Sequence, residues 1–240
     1  MSLLVALITE ADQPLGRAVA AHLAASGFAV VIHARGTAAP IADEIAAAGG
    51  AALAVTGDLG DEEAVDRIVG EAERRFGSVG ALVYLPAPLP RQPFASLSAE
   101  DWGQALRGQL HAAFLCARRV APAMVRAGRG HIIHVVGSDP FLPARQRSQA
   151  MTCHAGLLGL TRALAKELGP SGITVNAVVP GRFEGDGARA LPAKALQSLI
   201  PSGRLGKPDE LGGLCAFLAS APGAYVNGQT IHCDGGQVMW

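Results

Sequence analysis

Lysine is almost missing from this chain. Of 240 residues only Lys166, Lys194 and Lys207 are lysine, and acidic and basic side chains cancel to a formal net charge of zero. The balance excludes the basic footprint of a nucleic-acid or anionic-membrane binder, which needs clustered cations to track phosphates. The four cysteines, Cys116, Cys153, Cys215 and Cys233, show no CxxC spacing. That excludes a recognisable metal or disulfide framework and predicts buried thiols in a reducing compartment. The N-terminus lacks a basic leader, and no run approaches the ~20 apolar residues of a membrane span. A soluble, cytoplasmic protein is the expectation. Tyrosine occurs only at Tyr84 and Tyr225, with Pro88 and Gln229 four residues on, so no Tyr-x-x-x-Lys exists. Finally, although the chain holds 30 glycines, none lies between Leu7 and Leu15.

What is present is an alternation. Half of the residues are apolar. Strand-like Val/Ile/Leu runs ("LLVALIT", "AVVIHA", "AALAVTGD", "ALVYL", "HIIHVVG", "ITVNAVVPG", "QTIHCDG") alternate with helical patterns. Helices are expected at 14–26, 39–49, 61–77, 99–127, 149–168 and 207–220, several closed by glycine. Near-continuous apolar strands separated by helices predict strands buried on both faces. The expected fold is α/β: a single-domain, Rossmann-like, doubly wound parallel sheet of about seven strands with helices on both faces. Ligands in such a sheet sit beyond the carboxyl ends of the strands.

The segments "GITVNAVVPG" (172–181), "GRLGKPDELGGLCAFLAS" (203–220), "VNGQTIHCDGG" (226–236), "AGLLGLTRALAKELGPSG" (155–172) and "GDL" (57–59) occur in a familiar order. In these the whole chain resembles the classical short-chain dehydrogenases/reductases, closest in layout to bacterial β-ketoacyl carrier-protein reductases. The resemblance implies NAD(P)-linked carbonyl or alcohol chemistry and a tetramer, and each functional position must be carried over separately.

The family's phosphate turn reads T-G-x-x-x-G-x-G. Aligned on Thr9 and Gly16, this chain has Glu10 and Pro14 where two glycines belong, with Asp12 between them. Glycine there allows tight backbone geometry and close approach of N–H groups to a pyrophosphate. Proline has no N–H, and each carboxylate near a pyrophosphate costs on the order of 1–4 kcal/mol. Thr9, Gly16, Arg35, Asp58 and Leu59 remain as vestiges. Asp58 falls where the family meets adenine, and Arg35 suits an NADP 2′-phosphate or is simply a solvated loop residue. No cofactor is predicted in this chain; NADP(H) is the one that would fit if any did.

The resemblance also implies a catalytic Ser, Tyr and Lys. Their positions hold Gly137, Ala150 and His154, and the helper Asn aligns with Gln109. Ser138 and His154, with Asp139 nearby, are the only weak catalytic candidates, and no metal site is expected. "YLPA" (84–87) and Gly185 replace two further cofactor contacts. The preferred reading is a catalytically silent structural or regulatory partner of an intact reductase paralogue in a heterotetramer; the expected assembly itself is a tetramer, a homo-oligomer or a hetero-oligomer with that paralogue. Two alternatives stand: a divergent NADPH-dependent ketoreductase using His154 through water, and a small-molecule binding protein using the vacated cleft. The small residues Ala155, Gly156, Gly159 and Ala163 suit close helix packing, on a partner or on the chain's own sheet. The terminal "QVMW" suits an interface or a frayed tail.

Overall fold

The computed structural model describes residues 4–185 and 198–239. Residues 186–197, and Trp240 of the terminal "QVMW", lie outside them. Seven strands form one parallel sheet in the order β3-β2-β1-β4-β5-β6-β7. They are β1 Leu4–Ile8, β2 Phe28–Ala34, β3 Ala52–Thr56, β4 Val79–Tyr84, β5 Gly130–Val135, β6 Ile173–Pro180 and β7 Thr230–Cys233. All seven residues of β2 are buried, as the uninterrupted apolar run requires of a strand covered on both faces. β7 is an edge strand and only half-buried.

The helices divide between the faces. On one side α1 (Pro14–Ala25), α2 (Ala39–Ala47) and α7 (Pro208–Leu218) cover Ile8, Val30, Ile32, Val83 and Val178. On the other, α3 (Glu62–Phe76), α5 (Ala112–Ala127) and α6 (Ser148–Leu168) cover Leu7, Val31, Leu82, Ile132 and Val175. Local signals set the ends of α3. Asp61 caps its first turn by accepting the Ala64 N–H at 3.2 Å, and Gly77, at φ +98°, ends it where a β-carbon would be strained.

The helix expected at 99–127 differs from its sequence reading. It begins as α4 (Ala99–Leu106), widens into a π turn at Arg107–His111, and continues as α5. The buried Tyr84 hydroxyl donates to the carbonyls of Gly108 (3.1 Å) and Gln109 (2.8 Å) inside that turn. A widened turn leaves carbonyls short of helical partners, and a buried carbonyl must find a donor. Burial pushes the Tyr84 phenol well above its ordinary pKa, so its role here is that of a neutral donor. Tyr84→Phe should therefore cost about 1–2 kcal/mol, read as a lower urea midpoint at unchanged slope.

Other expectations resolve simply. Cys116, Cys153 and Cys215 are buried free thiols, with Cys116 and Cys215 pushed up to about 12 by burial; Cys233 is free but only half-buried. On α6, Ala155, Gly159 and Ala163 are exposed, so these three small residues do not pack on the chain's own sheet. Cys153, His154, Leu157, Leu158 and Thr161 are buried instead. Gly156 alone serves internal packing, since a β-carbon there would lie 2.8 Å from Leu110. Met239 is exposed at the chain end. Among the described residues no helix is long and apolar enough to cross a membrane, and no group of three or more His, Cys, Asp and Glu side chains could hold a metal.

Candidate active site

In the strand order, β1 has β2 on one side and β4 on the other, which is where open α/β sheets bind ligands. The loops after β1, β4 and β5 enclose a cleft of about 190 Å³ there, with Glu10, Leu85, Gln109, Gly137 and His154 in its wall.

The turn after β1 is held from within. Thr9 is fully buried, and its hydroxyl both donates to the Leu85 carbonyl and accepts the Leu85 N–H, each at 2.8 Å. Glu10 adopts φ +47°, the left-handed conformation that a glycine takes freely and other residues reach at a cost of about 1–2 kcal/mol. Its N–H donates to His33 Nδ1 at 3.4 Å, while His33 Nε2 donates to the Gly57 carbonyl at 2.9 Å. Burial is the main cause holding His33 below its ordinary pKa, in the neutral form these bonds require. The Glu10 carboxylate is buried and accepts from Arg35 Nε at 2.9 Å. Glu10 is thus not the bare charge that the sequence suggested: Arg35 neutralises it, and only Asp12 stands exposed. By the same contact Arg35 is not a free loop cation: its Nε is committed to Glu10, while most of the side chain stays exposed.

Pro14 opens α1 and removes one N–H from the helix end that would face an anion. From the other side Gly185 closes on it, at φ +78°, with a β-carbon there falling 3.4 Å from the Pro14 ring. Gly16 is required by packing: a β-carbon would meet the Ala11 backbone at 2.6 Å. Asp58 turns its carboxylate onto the Gly60 N–H (2.9 Å), and Leu59 is core.

The aligned catalytic positions form a different constellation. His154 is buried and donates from Nδ1 to Asp139 Oδ2 at 3.0 Å. Arg147 grips the same carboxylate through Nε (2.9 Å) and Nη2 (3.0 Å), and donates through Nη1 to the Leu89 carbonyl (2.9 Å). Although burial opposes it, hydrogen bonds from His154 and Arg147 hold the Asp139 carboxyl well below the usual carboxylate range. The imidazole lies where a side chain on Gly137 would begin: a β-carbon there would be 2.4 Å from His154 Cε1. Gly137 and His154 are therefore one packing unit. Ala150 is fully buried and contributes nothing to the cleft lining. Ser138 closes a turn through its carbonyl, bonded by the N–H groups of Phe141 and Leu142, and its hydroxyl makes no hydrogen bond among the described residues. The structure joins Asp139 to His154 but does not bring Ser138 to them.

A model of the family described as enoyl-(acyl carrier protein) reductase matches residues 10–237. The chain belongs to the short-chain dehydrogenase/reductase family. Among its relatives, 3-oxoacyl-[acyl-carrier-protein] reductase of Synechocystis is 34% identical over 240 residues, covering 98% of this chain and 97% of that one. The BbsD subunit of (2S)-[(R)-hydroxy(phenyl)methyl]succinyl-CoA dehydrogenase from Thauera aromatica is 34% identical, with 98% and 97% covered. A solved structure from Sinorhizobium meliloti, described as a short-chain alcohol dehydrogenase, superimposes with a TM-score of 0.92 at 29% identity and covers 99% of this chain.

As a member of this family the chain carries features that sequence reasoning missed. The loop "PAPLP" (86–90) is clamped by side chains from α6 and the helix before it. Gln109 donates to the Ala87 carbonyl, Arg147 to Leu89, and Gln149 to Pro90 at 3.0 Å. The signal was slight: a polar "RQRSQ" (145–149) leading into an otherwise apolar helix.

Proposed function

We propose that this short-chain dehydrogenase/reductase is a catalytically silent subunit, the structural or regulatory partner of an active NAD(P)H-dependent reductase in a heterotetramer. One observation carries the reading: the His154 ring, locked by Asp139 and Arg147, fills the space in which the family's serine would stand. With Ala150 in the tyrosine position, no side chain there can trade a proton with a carbonyl oxygen as a phenol does. The turn supports the same reading. The Glu10–Arg35 pair, the missing N–H of Pro14 and the approach of Gly185 do not fit a pyrophosphate, so no step is assigned to a dinucleotide.

The outward face of the α4–α5 helix and α6 supports assembly. Leu106, Leu110, Phe114, Leu160 and the small residues of α6 leave an apolar recess of about 720 Å³ on the surface. The names of the relatives suggest an acyl thioester as the partner's substrate, and one of them is itself a subunit. Purified alone, the protein should neither bind NADPH at micromolar concentration nor oxidise it with acetoacetyl thioesters. Co-expressed with a reductase encoded beside it, it should elute as a mixed tetramer by size exclusion with light scattering. Turnover by this chain alone would overturn the proposal.

A further inference from the structure

The outward face of α5, of the π turn before it and of α6 is lopsided in charge. From Trp102 to Ser138 the chain has no aspartate or glutamate, and α6 has one acid, Glu167, in its last turn. The apolar recess on this face is lined by Leu106, Leu110, Phe114 and Leu160, and no carboxylate of the described residues lines it. Arg107 and His111 do line it, and Arg162 stands exposed on α6 beside Gly159 and Ala163. None of these three bases has an ion pair among the described residues. The other charges nearby are matched within the chain. Arg118 pairs with Glu62 of α3 and lies over the Phe114 ring at 5.8 Å, while His111 stacks on the same ring at 6.0 Å. At the start of α4, Asp101 accepts from Ser98 and Gln92, and Glu100 accepts from the Gln104 amide.

A two-fold pairing sets one patch against its own copy. Here it would bring Arg107 and Arg162 from both copies into a single apolar seam with no carboxylate to meet them. Like charges brought together in a desolvated interface work against that partner, whereas opposite charges select for another. The exposed small residues Ala155, Gly159 and Ala163 still let a second helix come close. We infer that this face docks a non-identical chain, a helix pair that sets aspartate or glutamate against Arg107, His111 and Arg162 around an apolar ridge, and that it does not pair with a second copy of itself. The inference rests on the partner-subunit reading and adds the chemical signature of the partner: carboxylates flanking an apolar stripe at helical spacing.

The chain itself can supply the acidic probe. The triple variant Arg107→Glu, His111→Glu and Arg162→Glu keeps the apolar residues of the face and reverses its charge. Ala163→Cys, added to both wild type and variant, puts a reporting thiol on the face, while Cys116, Cys153 and Cys215 stay buried. Protein without Ala163→Cys sets the background from the half-buried Cys233. At low ionic strength a bis-maleimide should join wild type to the variant about tenfold or more faster than wild type to wild type. Salt at about 0.5 M should shrink that ratio. Should the triple variant fail to fold by circular dichroism, Arg162→Glu alone, at an exposed position, takes its place with a preference of about threefold. Equal rates for the two pairings, faster joining of wild type to itself, or no joining above background in either would overturn the inference. Failure of the underlying reading has a different readout: NADPH turnover by this chain alone would overturn the silent subunit, whatever the crosslinking rates.

Discussion

Asp139→Ala should lower folding stability by about 3 kcal/mol, read from urea unfolding near neutral pH. Removing one member of a buried ionic network strands the others, at about 3–5 kcal/mol. The lower end applies because the Arg147 side chain keeps about a fifth of its surface in water. The deletion strands two groups at once: a guanidinium bonded through two of its nitrogens and an imidazole in the wall of the cleft. The pH dependence has a definite sign. The Asp139 carboxyl is depressed in the fold, so its contribution is full above the ordinary aspartate value of about 4 and fades as pH falls below it. The gap between wild type and variant should therefore narrow below about pH 4. A second, separate loss belongs to His134, whose Nδ1 bonds Thr161 at 2.9 Å in the core and whose pKa burial pushes down to about 4. That histidine, neutral in the fold and protonated when unfolded, weakens both proteins equally as pH falls from about 6.5 toward 4. If Asp139→Ala melted within about 1 kcal/mol of wild type, the triad would not hold the site together.

Much of the architecture was readable because one physical signal governs it. A strand covered on both faces must be apolar throughout, and each of the seven runs ends near its predicted edge. The helix at 99–127 shows the limit. A π turn inserts a change too small to disturb apolar periodicity, and it emerges only through the Tyr84 hydroxyl reaching its carbonyls. The site was readable as a set of substitutions and not as a set of contacts. Glu10 and Arg35 are separated by 25 residues, and in sequence each has its own meaning, a repulsive acid and a phosphate-binding base. Paired across the ends of β1 and β2, they neutralise each other. Gly137 and His154 are likewise two losses on paper and one packed unit in space. Position relative to a family motif says which group is gone. It does not say what has moved into the vacancy, because that depends on side-chain direction and on residues such as Arg147 that the motif never included.

The second large effect tests that unity directly. Gly137→Ser places a β-carbon 2.4 Å from His154 Cε1 and 2.6 Å from its Nδ1. The imidazole can yield only by giving up its bond to Asp139. Overpacking of about 1–3 kcal/mol then adds to a lost charge-assisted hydrogen bond of about 1.5–3 kcal/mol, and a net destabilisation of about 3 kcal/mol is expected. His154→Ala alone should cost about 2 kcal/mol, from the vacated volume and the weakened Asp139 network. If the ring and the glycine are one unit, the two changes are not additive. Once the ring is gone the serine has room, and the double variant should recover about 2 kcal/mol against the sum of the singles, within the range found for residues in direct contact. Denaturant unfolding of the four proteins closes the cycle. A coupling near zero would mean that His154 does not hold the serine slot, and would overturn the proposed silence of the site on that ground. The double variant Gly137→Ser/His154→Ala should still give no NADPH turnover, because Ala150 stands in the tyrosine position and offers no phenol.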